Sequence, residues 1–313
     1  MEERLKYEIH FAPIQGVTDS IYRILHHRHF SPVDMYYTPF VRVEHGQEFR
    51  TKDLRDIDQG QNVRIQLTPQ VLGGTPDELR VLLQLLLERG YHRANINLGC
   101  AFPMIARKEK GAGLLPYPEK VQALMEVVRA FPEIVCSVKM RLGWKHEQEC
   151  LNLVVVLNEA PLSAVIVHAR TEVQGYDGEV NWEAFRRFYE KCTRPLFFNG
   201  DIRTVDDMNQ LFEEFPRLTG VMIGRGLLAN PALVLEFLGK EFSEEERKIL
   251  FRRFHDDLLT ANAEYLQGDL QLLMKMKTFW RYFLPGTDRK LLKKIKKATK
   301  FSTYNETVAE IFR

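Results

Sequence analysis

The chain has 313 residues, enough for one large domain or a large and a small one, and its 45% hydrophobic content suits a packed globular core. A net charge of +2 is too small for bulk charge alone to capture nucleic acid, so any such partner must be argued from where the charge lies. No apolar run reaches membrane-spanning length, residues 1–10 carry no apolar h-region, and Cys100, Cys136, Cys150 and Cys192 are unclustered, which argues against a disulfide framework or a metal site and for a reducing cytoplasm.

In chain order, apolar or alternating runs at 8–14, 33–38, 65–72, 94–98, 135–141, 164–168, 195–199 and 220–224 predict strands. Amphipathic stretches at 20–29, 76–90, 120–131, 147–160, 182–191 and 205–215 predict the helices between them. Strand–helix alternation implies parallel strands with helical crossovers, and about eight repeats in roughly 230 residues predict an α/β (β/α)8 TIM barrel. The link at 44–61 has no clear helical period and predicts an irregular excursion. After Asn230-Pro231 no further strand is convincing. Helical patterns run over 244–267, 269–283 and 288–299, so the expected organisation is a barrel over 1–238 and a small all-helical C-terminal domain over 239–313. Its last part carries Arg289, Lys290, Lys293, Lys294, Lys296, Lys297 and Lys300. Such a stripe fits a phosphate backbone, and it equally fits an ordinary solvated helix face.

Barrel chemistry sits at the C-terminal ends of the strands. The first predicted strand presents Pro13, Gln15 and Gly16 there; the third Gln70, with Gln66 as a rival; the fourth Asn97 and Cys100. The fifth presents Lys139 and Arg141, the sixth His168 and Arg170, each pair on one strand face. The seventh ends in Asn199, Gly200 and Asp201, the eighth in Gly224 and Arg225. Cations inside a barrel are costly unless a charged ligand pairs with them, so this set implies a polyanion. Gln70 and Lys139 suit a redox ring, an amide for its edge and a cation for the charge gained on reduction. Flavin mononucleotide (FMN) matches better than a sugar phosphate. Residues 224–229, GRGLLA, nearly spell a dinucleotide fingerprint, but no βαβ unit follows, so the loop reads as a phosphate clamp. Cys100 alone fits a buried structural thiol as well as a reactive one.

With these residues in view, the chain resembles the tRNA-dihydrouridine synthases. The resemblance rests on INLGC at 96–100 with GAGLL at 111–115, VKMRLG at 138–143, VHART at 167–171 with Gly175-Tyr176, NGD at 199–201 and MIGR at 222–225. It implies an enzyme that uses NADPH and FMN to reduce the C5–C6 double bond of a D-loop uridine in tRNA, in the cytoplasm and as a monomer. By it, Gln70, Lys139, His168, Asn199, Gly200, Asp201, Gly224 and Arg225 hold FMN; Pro13 and Gln15, at the first strand end, are expected to join them because a flat ring could lie against that turn. Asn97, Arg141, Arg170 and Tyr176 face the target base and Lys277 meets tRNA through the helical domain; Lys293 and Lys297, from the basic stripe, are the further expected tRNA contacts. Cys100 gives a proton to C5; an ordinary thiol pKa near ~8.5 keeps it protonated at neutral pH. The sequence departs from the family at Ala101, where proline is usual. Residues 40–43, FVRV, resemble the bacterial branch acting at position 16. Competing readings are an FMN barrel reductase of a small molecule, such as a dihydropyrimidine or dihydroorotate, and a tRNA-binding factor without catalysis.

Overall fold

The computed structural model describes residues 6–44, 48–100 and 102–313; the Ala101 departure lies outside the described residues. Among the described residues nine strands, all parallel, form one sheet: β1 (Glu8–Phe11), β2 (Met35–Tyr37), β3 (Leu67–Thr68), β4 (Gln70–Val71), β5 (Arg93–Leu98), β6 (Val135–Gly143), β7 (Leu162–Thr171), β8 (Leu196–Asn199) and β9 (Gly220–Ile223). The order runs β3-β2-β1-β9-β8-β7-β6-β5-β4, so the two ends of the sheet are β3 and β4. These are halves of the single third strand expected from the sequence, separated only by Pro69. Proline has no N–H to give a ladder, so the strand breaks there. Thr68 faces β2 and Gln70 faces β5, and the sheet closes into the expected (β/α)8 barrel.

The outer ring is α1 (Ser20–Phe30), α2 (Thr51–Asp56), α3 (Pro76–Glu88), α4 (Pro103–Ala106), α5 (Pro118–Arg129), α6 (Gln148–Glu159), α7 (Trp182–Lys191) and α8 (Val205–Glu214). Helix α3 illustrates why these form. Thr75 accepts from Glu78 N–H as N-cap, Pro76 fits the first turn, and Leu79, Leu82, Leu83 and Leu86 make one buried stripe. The barrel interior is filled by Ala12, Tyr37, Ala164, Ile166, Phe197 and Met222.

The 44–61 link is more ordered than its sequence suggests: it holds α2 and a 3₁₀ turn at Gln59–Gln61. Its anchor is Arg23 of α1, fully buried, which donates to Thr18 O, Asp56 O and Asn62 Oδ1. A tertiary tie of this kind leaves no periodic trace in the sequence.

After β9 come α9 (Arg225–Ala229) and α10 (Leu233–Phe237), within the expected barrel bounds, and then α11 (Glu244–Tyr265), α12 (Asp269–Trp280), α13 (Arg289–Lys297) and α14 (Phe301–Ile311). The last was not anticipated, although Tyr304, Thr307 and Val308 give it a buried side. The helical region docks on α1 through packed aromatics, with Phe30 and Phe254 rings 5.0 Å apart edge-to-face, and through a 2.8 Å hydrogen-bond contact between His29 Nε2 and Asp257 Oδ2. Among the described residues no helix is long and apolar enough to cross a membrane.

Candidate active site

Parallel register sets the strand ends side by side. Asn97 pairs with Lys139, Arg141 with His168, and His168 with Asn199. Two adjoining cavities open over this row, of about 630 and 910 Å³ including their open mouths, with Pro13, Ile14, Gly99, Lys139, Arg141 and Tyr176 lining both. The first runs over β7 to β9 and is walled by His168, Asn199, Gly200, Asp201, Gly224 and Arg225; the second runs over β4 and β5, where it meets Gln15, Gln70, Asn97 and Cys100. The expected barrel residues thus converge on one mouth, with Arg170 immediately behind it. Gln66, the rival to Gln70, is exposed, whereas Gln70 is buried.

The second cavity carries a hydrogen-bonded chain of amides. Ser137 Oγ accepts from Asn95, Asn95 Oδ1 accepts from Gln70 at 2.7 Å, and Gln70 Oε1 accepts from Asn97 at 2.7 Å. Asn97 Oδ1 in turn accepts from Gly99 N–H, next to Cys100. Cys100 is buried against Phe40, Leu72 and Ile105. Burial pushes its thiol above the ordinary value, outweighing a backbone N–H at Phe102 and the nearby Arg141 charge, so the thiol is protonated at neutral pH. Behind it stands Gly111, at φ +58, where a Cβ would lie 2.8 Å from Cys100 Cβ; a side chain there would displace the thiol.

The first cavity is the cationic one. Burial, with Arg141 adding to it, pulls the Lys139 amine down to about 7. Burial and the surrounding charges of Arg141, Lys139, Arg170 and Arg225 hold His168 well below its usual value, so it is a neutral imidazole. Gly226 completes the wall because a Cβ there would fall 2.0 Å from Ile202 O.

The arginines are not uniformly free for ligand. Arg170, fully buried, is ion-paired with Asp201 and donates to Gly178 O at 2.6 Å. Arg225 meets the same carboxylate at 2.7 Å and Arg203 at 3.6 Å. Burial opposes ionisation of Asp201, but the Arg170 hydrogen bond and the three charges win and keep its pKa below the ordinary value. Arg141 donates to Gly99 O, Thr171 O and Gly175 O. The expectation that these cations need a polyanionic ligand is therefore corrected for Arg170, whose charge Asp201 neutralises while also pairing with Arg225. Lys139 is the cation with no hydrogen-bond or ion-pair partner among the described residues. An anionic ring edge would meet that need, and the chemistry of the set fits FMN. Lys277 on α12 is half-buried and apart from both cavities, and Lys293 and Lys297 line a separate lysine-rich depression on α13. Sequence reasoning missed Arg203 and Phe102 as cavity residues; only the spacing of Arg203 from Asp201 hinted at the first.

Known proteins resemble this chain in sequence and in fold. The profile of the family described as Dihydrouridine synthase (Dus) matches residues 10–311. A probable tRNA-dihydrouridine synthase 1 of Synechocystis is 31% identical over 239 residues, covering 76% of this chain and 66% of that protein. The tRNA-dihydrouridine(16) synthase of Aquipseudomonas alcaligenes is 29% identical over 96% of this chain and 93% of its own, and that of Pseudomonas putida is 33% identical over 73% and 72%. Among solved structures, morphinone reductase in complex with tetrahydroNAD superposes with a TM-score of 0.54 at 10% identity, over 78% of this chain and 90% of that one. The NCR variant from Zymomonas mobilis gives 0.52 at 12% identity, over 76% and 88%; at such identities the likeness concerns the fold. From the profile match over nearly its whole length, the chain belongs to the dihydrouridine synthase family.

Proposed function

We propose that the protein reduces uridine to 5,6-dihydrouridine in tRNA, at position 16 in the D-loop, with FMN in the first cavity and NADPH as reductant. The observation that carries this reading is the placing of a protonated, apolar-walled Cys100 and a partnerless Lys139 on one cavity wall. The names of the relatives support the tRNA substrate, and two of those quoted bear the position 16. Bound there, reduced FMN would supply a hydride, two electrons with one hydrogen, to C6 of the C5–C6 bond.

The chain's own residues do the rest. Lys139 offers its charge to the electron-rich edge of the cofactor, Gln70 its remaining amide capacity, and the ends of β8 and β9 the polar wall for its phosphate. Asn97 and Arg141 border the space left for the uracil, and Tyr176 closes it from above. Cys100 Sγ–H gives its proton to C5, and the resulting thiolate is reprotonated from water before the next turnover. Uridine must leave the RNA stack to reach this depth, and a D-loop base leaves at lower cost than one in a helix. We assign residues 1–238 to catalysis and 239–313, with Lys277, Lys293 and Lys297, to holding tRNA, in a cytoplasmic monomer.

The test is incubation of the purified protein with FMN, NADPH and an unmodified tRNA transcript, followed by mass spectrometry of the digested RNA. Dihydrouridine at position 16 is expected; its absence, with flavin bound and reduced, overturns the reading.

A further inference from the structure

The exposed apolar side chains are not spread evenly. Phe102 and Met104, on the loop just after Cys100, are 63% and 77% exposed, and Tyr176 and Val173, on the loop after β7, are 57% and 62% exposed. The two loops face each other across the cavity mouth, which Phe102 and Tyr176 both line. The Tyr176 ring is backed by Arg225, whose guanidinium lies 4.6 Å from its centroid, and its role is already assigned above. Phe102 has no such assignment.

Its loop is stiff. Ala106 is fully buried at the end of α4, Lys110 is ion-paired with Glu78 at 2.5 Å, and the 3₁₀ turn at Gly111–Leu114 is buried behind it. A well-anchored loop thus holds a large ring out in water, where it gains nothing for the fold. The same loop carries Arg107 and Lys108, both exposed and neither ion-paired among the described residues. An exposed ring on the same loop as two unpaired cations, at the lip of the cavity, has the composition of a single-stranded nucleic-acid platform: a π-face for a base and charge for its phosphates.

We infer that Phe102 stacks on the nucleotide adjoining the flipped uridine, with Arg107 and Lys108 meeting the neighbouring phosphates, so that this loop positions the D-loop over the cavity. The inference rests on the tRNA reading above and names the contact that reading leaves out. Phe102 does not touch the reacting atoms; it acts through the placement of the target base.

The test uses the full-length holoprotein and an unmodified tRNA transcript. Phe102→Ala is expected to raise KM for tRNA by about 5- to 100-fold, the range for one lost base-stacking contact, while kcat changes far less. Phe102→Trp should keep wild-type KM, and its new indole emission should be quenched by tRNA beyond the quenching of the native tryptophans. The flavin absorption spectrum of each variant reports that it has folded. Wild-type KM in Phe102→Ala, or an unquenched indole in Phe102→Trp, overturns the inference while leaving dihydrouridine formation standing. A wild-type protein that neither binds nor modifies the transcript overturns both.

Discussion

The side-chain amide of Asn97 donates to Gln70 Oε1 at 2.7 Å while its own oxygen accepts from Gly99 N–H at 2.9 Å. One residue therefore joins the end of β4 to the turn that carries Cys100. Asn97→Ala would leave both a buried Gln70 oxygen and the Gly99 N–H without their partner, at a cost of about 1–3 kcal/mol. The expected result is a lower urea midpoint together with faster alkylation of Cys100 by iodoacetamide, as the turn loosens. Unchanged alkylation would show that the turn holds itself.

Cys100→Ala should retain FMN and still oxidise NADPH with oxygen, while dihydrouridine formation falls by about 10²- to 10⁴-fold, the usual worth of a general acid. The pH dependence follows from the sign of its shift. An acid must be protonated, and burial raises this thiol above its ordinary value, so the alkaline loss of activity lies above the pH at which a free thiol ionises. Rate profiles of single-turnover reduction check this, and the limb assigned to the thiol should vanish in Cys100→Ala.

Lys139, drawn down to about 7 when the site holds no anion, must take up a proton as an anion arrives. The negative charge that the ring carries once reduced raises this pKa, so affinity for reduced FMN should weaken as pH rises through that value. Anaerobic titration of the apoprotein with reduced FMN on either side of pH 7 measures it, and Lys139→Met should lose this component of the pH dependence.

Asp201 compensates the fully buried Arg170, with Arg225 sharing the carboxylate. Asp201→Asn should cost about 3–5 kcal/mol, because removing one member of a buried pair strands the other charge. Arg170→Met in the same chain should recover part of the loss. Since the folded-state pKa of Asp201 is depressed, its contribution is present above the ordinary carboxylate value of 3.8 and fades as pH falls through the folded one. Denaturant midpoints of the single and double variants decide the matter.

Lys293 and Lys297 line a depression of α13 and have no ion-pair partner among the described residues. Replacing both with alanine should weaken tRNA binding and flatten its dependence on salt by about two units of log–log slope, one per phosphate contact. Filter binding across a salt series reads this directly, and an unaltered slope would mean that α13 faces only solvent.

Much of this architecture was legible in the sequence because it is written in local patterns. The alternation of strands and amphipathic helices specified the barrel, and the i, i+2 spacing of Lys139 and Arg141 put both at the mouth. What escaped was tertiary. The break at Pro69 was visible as a proline but not as the place where the barrel closes. The buried Arg23 that orders the 44–61 link looked like any polar residue of a helix. The counter-charge of Arg170 was hidden because Asp201 lies 31 residues away on a different strand end. Phe102 gave no signal at all, since a single aromatic in a loop has no period and its meaning depends on being exposed beside a cavity.

The most direct measurement is the visible spectrum of the purified protein, reduced anaerobically with NADPH and then mixed with unmodified tRNA. The account predicts flavin bands that bleach with NADPH and return on adding tRNA, with dihydrouridine formed in step. A protein that takes up no flavin, or one whose bleached bands stay bleached with tRNA present, would contradict it.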